Sequence, residues 1–200
     1  MALAEYESRW VFITVKHFFD LILGVVVFIL LAAPMLLIVI IVRLTSKGFA
    51  LYWSDRVGKN NKIFKMPKFR SMLIGAPVVA THLLGSPDSH LSPIGSFLRR
   101  SSLDELPQLF SVLKGDMSFV GPRPALYNQD DLIALRTEKG VNKLLPGITG
   151  WAQVNGRDEL SIPDKVALDV EYLNRQSFWF DVKILWMTFL KVIKRDGVSH

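Results

Sequence analysis

Two adjacent acids, Asp104 and Glu105, sit inside SSLDELPQLFSVLKGDMS, and the cations that could serve them are Lys68, Arg70, Arg99, Arg100 and Arg123. A carboxylate pair can supply a nucleophile or a base, and an oxygen ligand for a hard cation. The bland reading is structural: Ser102-Leu103-Asp104-Glu105 has capping-box spacing, and acids favour the first turn of a helix. Pro107 complicates that reading, because a helix capped at Ser102 would forfeit a regular bond there. A helix starting near Asp104 puts the proline among positions whose donors are unpaired anyway. Asp104 would then stand at the positive end of a helix, where phosphate also binds. A carboxylate and a phosphate repel, so chemistry at this point requires cations or a divalent metal. Successive helical residues project ~100° apart, which favours divided roles for the two acids, one attacking and the other holding metal.

Other chemistries are absent from the chain. It has no cysteine, which excludes disulfides, thiolate zinc sites and thiol nucleophiles. Its histidines, His17, His82, His90 and His200, lack paired ligand spacing. No serine lies in a nucleophile elbow and no Walker-type glycine loop occurs. Mg²⁺, held by carboxylates and substrate phosphates, is the ion this composition favours.

The elements that must position these groups read as follows. Ala50 to Ser54 and Ile63 to Met72 form a hairpin across Gly58 and Asn60-Asn61. Pro67 assigns the second strand to an edge or bulge, and period-two alternation puts Lys68 and Arg70 on one face. Leu73 to Leu91 is a loop, apolar enough to rest on a membrane or fold over a site. Leu103, Leu106, Leu109, Phe110 and Leu113 recur at helical spacing and Gly115 ends that run. Phe119 to Pro124 is a stiff connection in which two prolines bracket Arg123. Tyr127 to Lys139 and Pro163 to Arg175 read as helices, with loop and short strand between them around Gly147, Gly150 and Gly156. Phe178 to Arg195 mixes aromatics with lysines, the pattern of a helix lying in the headgroup plane; a core helix with a basic rim is the ordinary alternative.

Leu21 to Val42 is an uncharged apolar run long enough to cross a hydrocarbon core. Pro34 near its middle removes a backbone donor and kinks it. Basic residues stand on both flanks, Lys16 and His17 before and Arg43 and Lys47 after, so charge admits both a span and a turn back to the same side. The net charge is +6, and Arg56, Lys59, Lys62, Lys65, Lys68 and Arg70 crowd the segment after the run, as in a juxtamembrane patch on anionic lipid. The body is therefore expected on the cytoplasmic face. Nucleic acid is not an expected partner, since stacking aromatics are not interleaved with the charge.

KMPKFRSM, LRRSSLDELPQLFSVLKGDMSFVGPRP, PGITGWAQVNGRDELS and ALDVEYL, in this order, resemble the bacterial sugar transferases, the small single-domain monotopic phosphoglycosyl transferases that initiate glycan assembly. The resemblance implies an α+β fold: a re-entrant membrane helix broken at Pro34, then a compact cytoplasmic domain with a short hairpin, several helices and interfacial amphipathic helices. The division implied is 1–48 for the membrane region and 49–200 for the catalytic domain. It implies a bacterial inner-membrane enzyme moving a sugar-1-phosphate from a UDP-sugar to polyprenol phosphate with release of UMP. Asp104 would be the nucleophile, forming a covalent phosphosugar, and Glu105 the Mg²⁺ ligand. Lys68, Arg123 and Asp169 match substrate-binding positions, and Arg99 is assigned to phosphate by position. Ala33 departs from relatives that have serine before the proline. Membrane phospholipid is an expected partner, and the apolar surface admits a homo-oligomer. A phosphatase or pyrophosphatase using the same aspartate, and a non-catalytic membrane adaptor, are the competing readings.

Overall fold

The computed structural model describes residues 2–77, 87–156 and 160–194. The chain is a mixed structure of helices and small sheets, as expected. It opens with α1 (Ala2–Thr45), a helix of 44 residues that continues through Pro34, and whose Val11–Thr45 portion is long and apolar enough to cross a membrane. One stripe of α1 faces the body: Asp20, Gly24, Met35, Ile38 and Val42 are buried, with Leu23, Val27, Phe28 and Leu31 partly so. These positions recur every three or four residues, the repeat of one helical face. The opposite face, including Phe18, Ile22, Val26, Ile29, Leu30, Leu37 and Ile40, is exposed and wholly apolar.

Polar contacts secure the N-terminal half of α1. Lys16 Nζ donates to the Val120 carbonyl at 3.0 Å and pairs with Asp181. The Phe119 amide donates to Asp20 Oδ1 at 3.3 Å. Tyr172 completes the group, its hydroxyl 2.7 Å from Asp181 Oδ1. Burial pushes Asp181 above the ordinary carboxylate range even with Lys16 beside it. At the other end Arg43 donates to the Gly48 carbonyl at 2.7 Å and closes the exit from the helix.

The hairpin follows. β1 (Leu51–Val57) and β2 (Ile63–Phe69) pair antiparallel from Leu51 opposite Phe69 to Val57 opposite Ile63. Asn60 and Asn61 take φ of 55° and 59° in the turn, a left-handed conformation that asparagine tolerates well. Pro67 is compatible with β2 because, among the described residues, the sheet consists of β1 and β2, which makes each an edge. β2 ends at Phe69, shorter than the sequence suggests. The loop expected over Leu73 to Leu91 falls partly on 78–86, outside the described residues.

α2 (Gly95–Arg100) leads to a 3₁₀ segment, Leu103–Gln108, and then α3 (Leu109–Lys114), which ends at Gly115 with φ 87°. The single amphipathic helix expected here is thus divided. Pro107 lacks a donor and crowds the preceding turn, so regular α-helix is delayed to Leu109.

β3 (Ser118–Val120) and β4 (Gly147–Thr149) form a second, parallel pair, Ser118 opposite Gly147 and Val120 opposite Thr149. Their ends approach so closely that a Cβ on Gly147 would lie 2.1 Å from the Gly121 amide nitrogen, and one on Gly121 would lie 2.3 Å from the Leu145 carbonyl. Only glycine fits at either place. α4 (Asp130–Glu138) lies between the two strands in sequence; α5 (Trp151–Asn155), α6 (Ile162–Arg175) and α7 (Phe178–Lys194) follow. Ser161 caps α6 by accepting from the Asp164 amide, with Pro163 in the first turn.

α7 uses both of its faces. Phe180 and Ile184 enter the core with Tyr172, Phe119 and Met66, whereas Trp179, Trp186, Phe189 and Ile193 stand exposed. The helix is therefore a core helix on one side and an aromatic surface on the other. Phe19 of α1 meets Phe178 edge-on at 5.3 Å, so the start of α7 adjoins the apolar helix.

Candidate active site

Glu105 is the hub of the site. Its Oε1 accepts from Lys68 Nζ at 2.8 Å and from Arg123 Nη2 at 2.8 Å, and Arg123 Nη1 lies 3.5 Å from Oε2. Lys68 comes from β2, Glu105 from the 3₁₀ segment and Arg123 from the connection after β3, so three separate elements converge on one carboxylate. Burial alone would raise the pKa of Glu105, but the charges and hydrogen bonds of Arg123 and Lys68 outweigh it and hold the group well below the usual range. Burial lowers the pKa of Lys68, with Glu105 and Asp104 opposing.

Asp104 behaves differently. It is buried, and that burial lifts its pKa above the usual value; Lys68 opposes the rise and the Glu105 charge adds to it. Arg99 and Arg123 pull the other way, more weakly. The adjacent acids thus have opposite electrostatics: Glu105 is a fixed anion, and Asp104 is a more basic carboxylate. A pair of acids pushed apart in this way marks divided chemical roles.

The local backbone explains the divergence. Ser102, which would be the cap of a capping box, has φ 55° and makes no side-chain cap, so that explanation of the two acids fails. The Glu105 amide instead closes a tight turn on the Ser102 carbonyl at 3.2 Å. The left-handed residue and the 3₁₀ turn send Asp104 inward and Glu105 toward β2. A six-residue segment of this kind has little dipole, so the anion-favouring field expected from a helix N-terminus comes from Lys68 and Arg123.

The remaining expected residues divide. Arg99 donates to Met72 Sδ at 3.2 Å while its charge acts on Asp104, so it borders the site. Arg70 does not join: β2 has already ended, the alternation that paired it with Lys68 lapses, and its Nε donates to the Phe49 carbonyl at 2.8 Å. Asp169 is turned toward Arg136 rather than toward Glu105. It is 1% exposed, and its Oδ2 accepts from Arg136 Nε at 2.9 Å and Nη2 at 2.7 Å. The break expected at Pro34 is not seen: α1 runs through it as continuous helix, with the proline on its exposed face.

Two residues near the site went unnoticed in the sequence. Arg56, which reads there as part of a membrane-facing basic patch, is turned inward: Nε donates to Ser54 Oγ at 3.0 Å and Nη1 to the Pro124 carbonyl at 3.2 Å. Its pKa falls to about 10 through burial and the Arg123 charge. Arg136 reads as one charge on a surface helix, yet its Nη1 reaches the Arg123 carbonyl at 2.8 Å. The hidden signal for Arg56 was its place in β1, whose hydrogen-bonded partner strand carries Lys68. For Arg136 no spacing rule gave one.

Among the described residues no group of three or more acids and histidines is gathered as a ready-made metal cage. The donors suit Mg²⁺ nonetheless, since that ion commonly takes one or two carboxylates and completes its shell with substrate phosphates and water. Glu105 and the adjacent Asp104 are the carboxylates that would hold such an ion, which would share Glu105 with Arg123, a donor to both of its oxygens.

Residues 11–195 match the family model of the bacterial sugar transferases. The chain belongs to that family. An undecaprenyl-phosphate glucose phosphotransferase of Komagataeibacter xylinus is 40% identical over 196 residues, covering 92% of this chain and 36% of the relative. A UDP-glucose:undecaprenyl-phosphate glucose-1-phosphate transferase of Escherichia coli is 37% identical over 179 residues, 86% of this chain and 39% of its own. The uncharacterized sugar transferase EpsL of Bacillus subtilis is 39% identical over 188 residues, 92% of this chain and 90% of its own. The chain therefore spans well under half of the first two relatives and nearly the whole of the third.

The opposed acids give a stability test with a definite sign. The raised pKa of Asp104 means that its charge weakens the fold above the unfolded pKa, a penalty relieved as pH falls through the folded value. The depressed pKa of Glu105 means that its charge contributes stability above the unfolded pKa, lost as pH falls through the folded value. Near neutral pH, Asp104→Asn should raise the thermal midpoint by ~2–4 °C, the shift that about 1 kcal/mol makes in a chain of this size. Glu105→Gln should lower stability by about 3 kcal/mol by leaving Lys68 and Arg123 unpaired. Shifts of the same sign in both variants would contradict the assignment.

Proposed function

We propose that the chain is a phosphoglycosyl transferase that moves a sugar-1-phosphate from a UDP-sugar to polyprenol phosphate, releasing UMP. The observation that carries this reading is the contrast between the two acids: a buried, pKa-raised Asp104 beside a Glu105 already neutralised by Lys68 and Arg123. A carboxylate of raised basicity among cations is suited to attack phosphorus. The names of the glucose phosphotransferase relatives agree with the substrate class.

In this mechanism an Asp104 carboxylate oxygen attacks the β-phosphorus of the donor. The bond from that phosphorus to the bridging oxygen breaks, and UMP departs with the electron pair. The aspartyl phosphosugar then yields its phosphorus to the phosphate oxygen of the polyprenol phosphate, and the Asp104 carboxylate is restored. Lys68 and Arg123 offset the developing charge, and Arg99 lies near enough to influence Asp104. Mg²⁺, held at Glu105, would supply further neutralisation of the donor's phosphates.

We also propose that the protein is monotopic, on the cytoplasmic face of the bacterial inner membrane. The support is the continuous contact of α1 with the body, from Lys16 and Asp20 to Met35, Ile38 and Val42. That stretch is about 40 Å long, more than the ~30 Å hydrocarbon core. Leu103 and Leu106, which flank the two acids, pack in the same cluster as Met35 and Val42. A perpendicular span would therefore draw the charged site into hydrocarbon, which is prohibitive. An α1 lying in one leaflet immerses its exposed apolar face and leaves the body in water. The exposed Trp179, Trp186 and Phe189 of α7 suit the headgroup boundary.

Purified chain in lipid nanodiscs, given undecaprenyl phosphate and a panel of UDP-sugars, should release UMP and form a polyprenol-diphosphate sugar with at least one donor. Asp104→Asn should lose at least about a thousandfold in rate, and chelation should abolish a turnover that Mg²⁺ restores. Release of inorganic phosphate without lipid product would replace the transferase with a phosphatase. For topology, a cysteine placed at Ala4 in this cysteine-free chain should react with a membrane-impermeant maleimide only when the cytoplasmic face is opened. Labelling from the periplasm of intact cells would overturn the monotopic reading.

A further inference from the structure

The loop that carries Arg123 is held through four successive main-chain carbonyls. Pro122 O accepts from the Gly147 amide at 2.9 Å, Arg123 O from Arg136 Nη1 at 2.8 Å, Pro124 O from Arg56 Nη1 at 3.2 Å, and Ala125 O from the Val57 amide at 2.9 Å. Two of these donors are backbone amides of strands β4 and β1, and a third is a side chain of β1. The fourth, Arg136, differs because its guanidinium is itself fixed by a buried ion pair reaching from α4 to α6. Asp169 takes two of its nitrogens at 2.9 and 2.7 Å, with the residues 8% and 1% exposed.

The bond from Arg136 holds a peptide that offers a single main-chain handle. Pro122 and Pro124 fix their own φ angles. The Arg123–Pro124 peptide has no N–H, so its carbonyl is the only main-chain group through which that peptide plane can be held. The orientation of that plane sets the direction in which Arg123 leaves the loop, and the side chain ends 2.8 Å from Glu105. A buried ion pair is also a weak device for stability alone, since apolar residues of similar volume commonly serve as well. What an apolar pair cannot do is donate to a carbonyl.

We propose that Arg136, locked by Asp169, is a positioning residue for the transfer reaction: it orients the Arg123 peptide so that the Arg123 guanidinium stays on Glu105 and toward the donor's phosphates. This rests on the reading of the site as a phosphoglycosyl transferase. It also gives Asp169 a role different from substrate contact, acting two steps away through Arg136 and Arg123.

The test replaces the pair with apolar residues, Arg136→Met together with Asp169→Leu, in the full chain in nanodiscs. The thermal midpoint should stay within a few degrees of the parent, while kcat/KM for the UDP-sugar falls about 10- to 100-fold. Adding Arg123→Ala to the pair variant should cost less than about twofold beyond Arg123→Ala alone, because both changes remove the same interaction. If the pair variant does not fold, Arg136→Lys is measured in the same way. It keeps the charge for Asp169 but not the planar fork, and it should lose activity by about tenfold with a near-parent midpoint. A pair or lysine variant within twofold of the parent in kcat/KM overturns the inference, as does a loss that multiplies fully with that of Arg123→Ala. An impaired Arg123→Ala beside an unimpaired pair variant removes this inference and spares the transferase reading. An Arg123→Ala variant as active as the parent removes both.

Discussion

One carboxylate bound by two cations organises this molecule. Glu105 joins β2 through Lys68 and the loop after β3 through Arg123, so the hairpin, the 3₁₀ segment and the second sheet meet at a single part-buried anion. Taking three charges out of water is costly, and the arrangement is tolerable only because each is paired at short range. Its electrostatic consequence falls on the neighbour. With Glu105 fixed as an anion and burial all around, Asp104 is left as the more basic acid. A fold built only for stability would have little reason to hold such a group; the proposed attack on phosphorus would supply one.

The rest of the fold serves to keep that arrangement rigid and close to lipid. The loop carrying Arg123 is trapped between β1 and β4, with Gly121 and Gly147 allowing main chains to touch. The 3₁₀ segment presents its acids on one side and packs Leu103 and Leu106 on the other, into the core cluster that α1 shares with Phe69 and Leu98. The apolar helix therefore shares a core with the segment that carries Asp104. An acceptor whose phosphate sits at the bilayer surface would meet the site without leaving its membrane.

Much of this was legible in the residues. The hairpin followed from the Gly58 and Asn60-Asn61 turn signals, a helix was expected over Pro163 to Arg175 where α6 lies, and the end of α3 followed from Gly115. The convergence of Lys68, Glu105 and Arg123 came from the family resemblance, since they are far apart in the chain. What sequence missed was long-range and specific. Arg56 looked like a lipid-facing member of the basic cluster, but cross-strand pairing turned it to the same face as Lys68, while Lys65 pairs with Asp55 at the surface. Asp169 looked like a binding acid, and only packing of α6 against α4 discloses its partner. The tight turn at Ser102 was masked by a capping-box pattern whose local logic is sound and was overruled by Pro107 and by Glu105's two cationic partners.

The proposed catalysis requires Asp104, rather than Glu105, to become bonded to phosphorus. Mass spectrometry reads this directly on protein incubated with a productive UDP-sugar without acceptor lipid and quenched in acid. The intact chain should gain the mass of one phosphosugar, fragmentation should place it on Asp104, and later addition of undecaprenyl phosphate before quenching should remove it. No adduct under conditions that support turnover, or an adduct located on Glu105, would contradict the division of labour on which the structure has been interpreted.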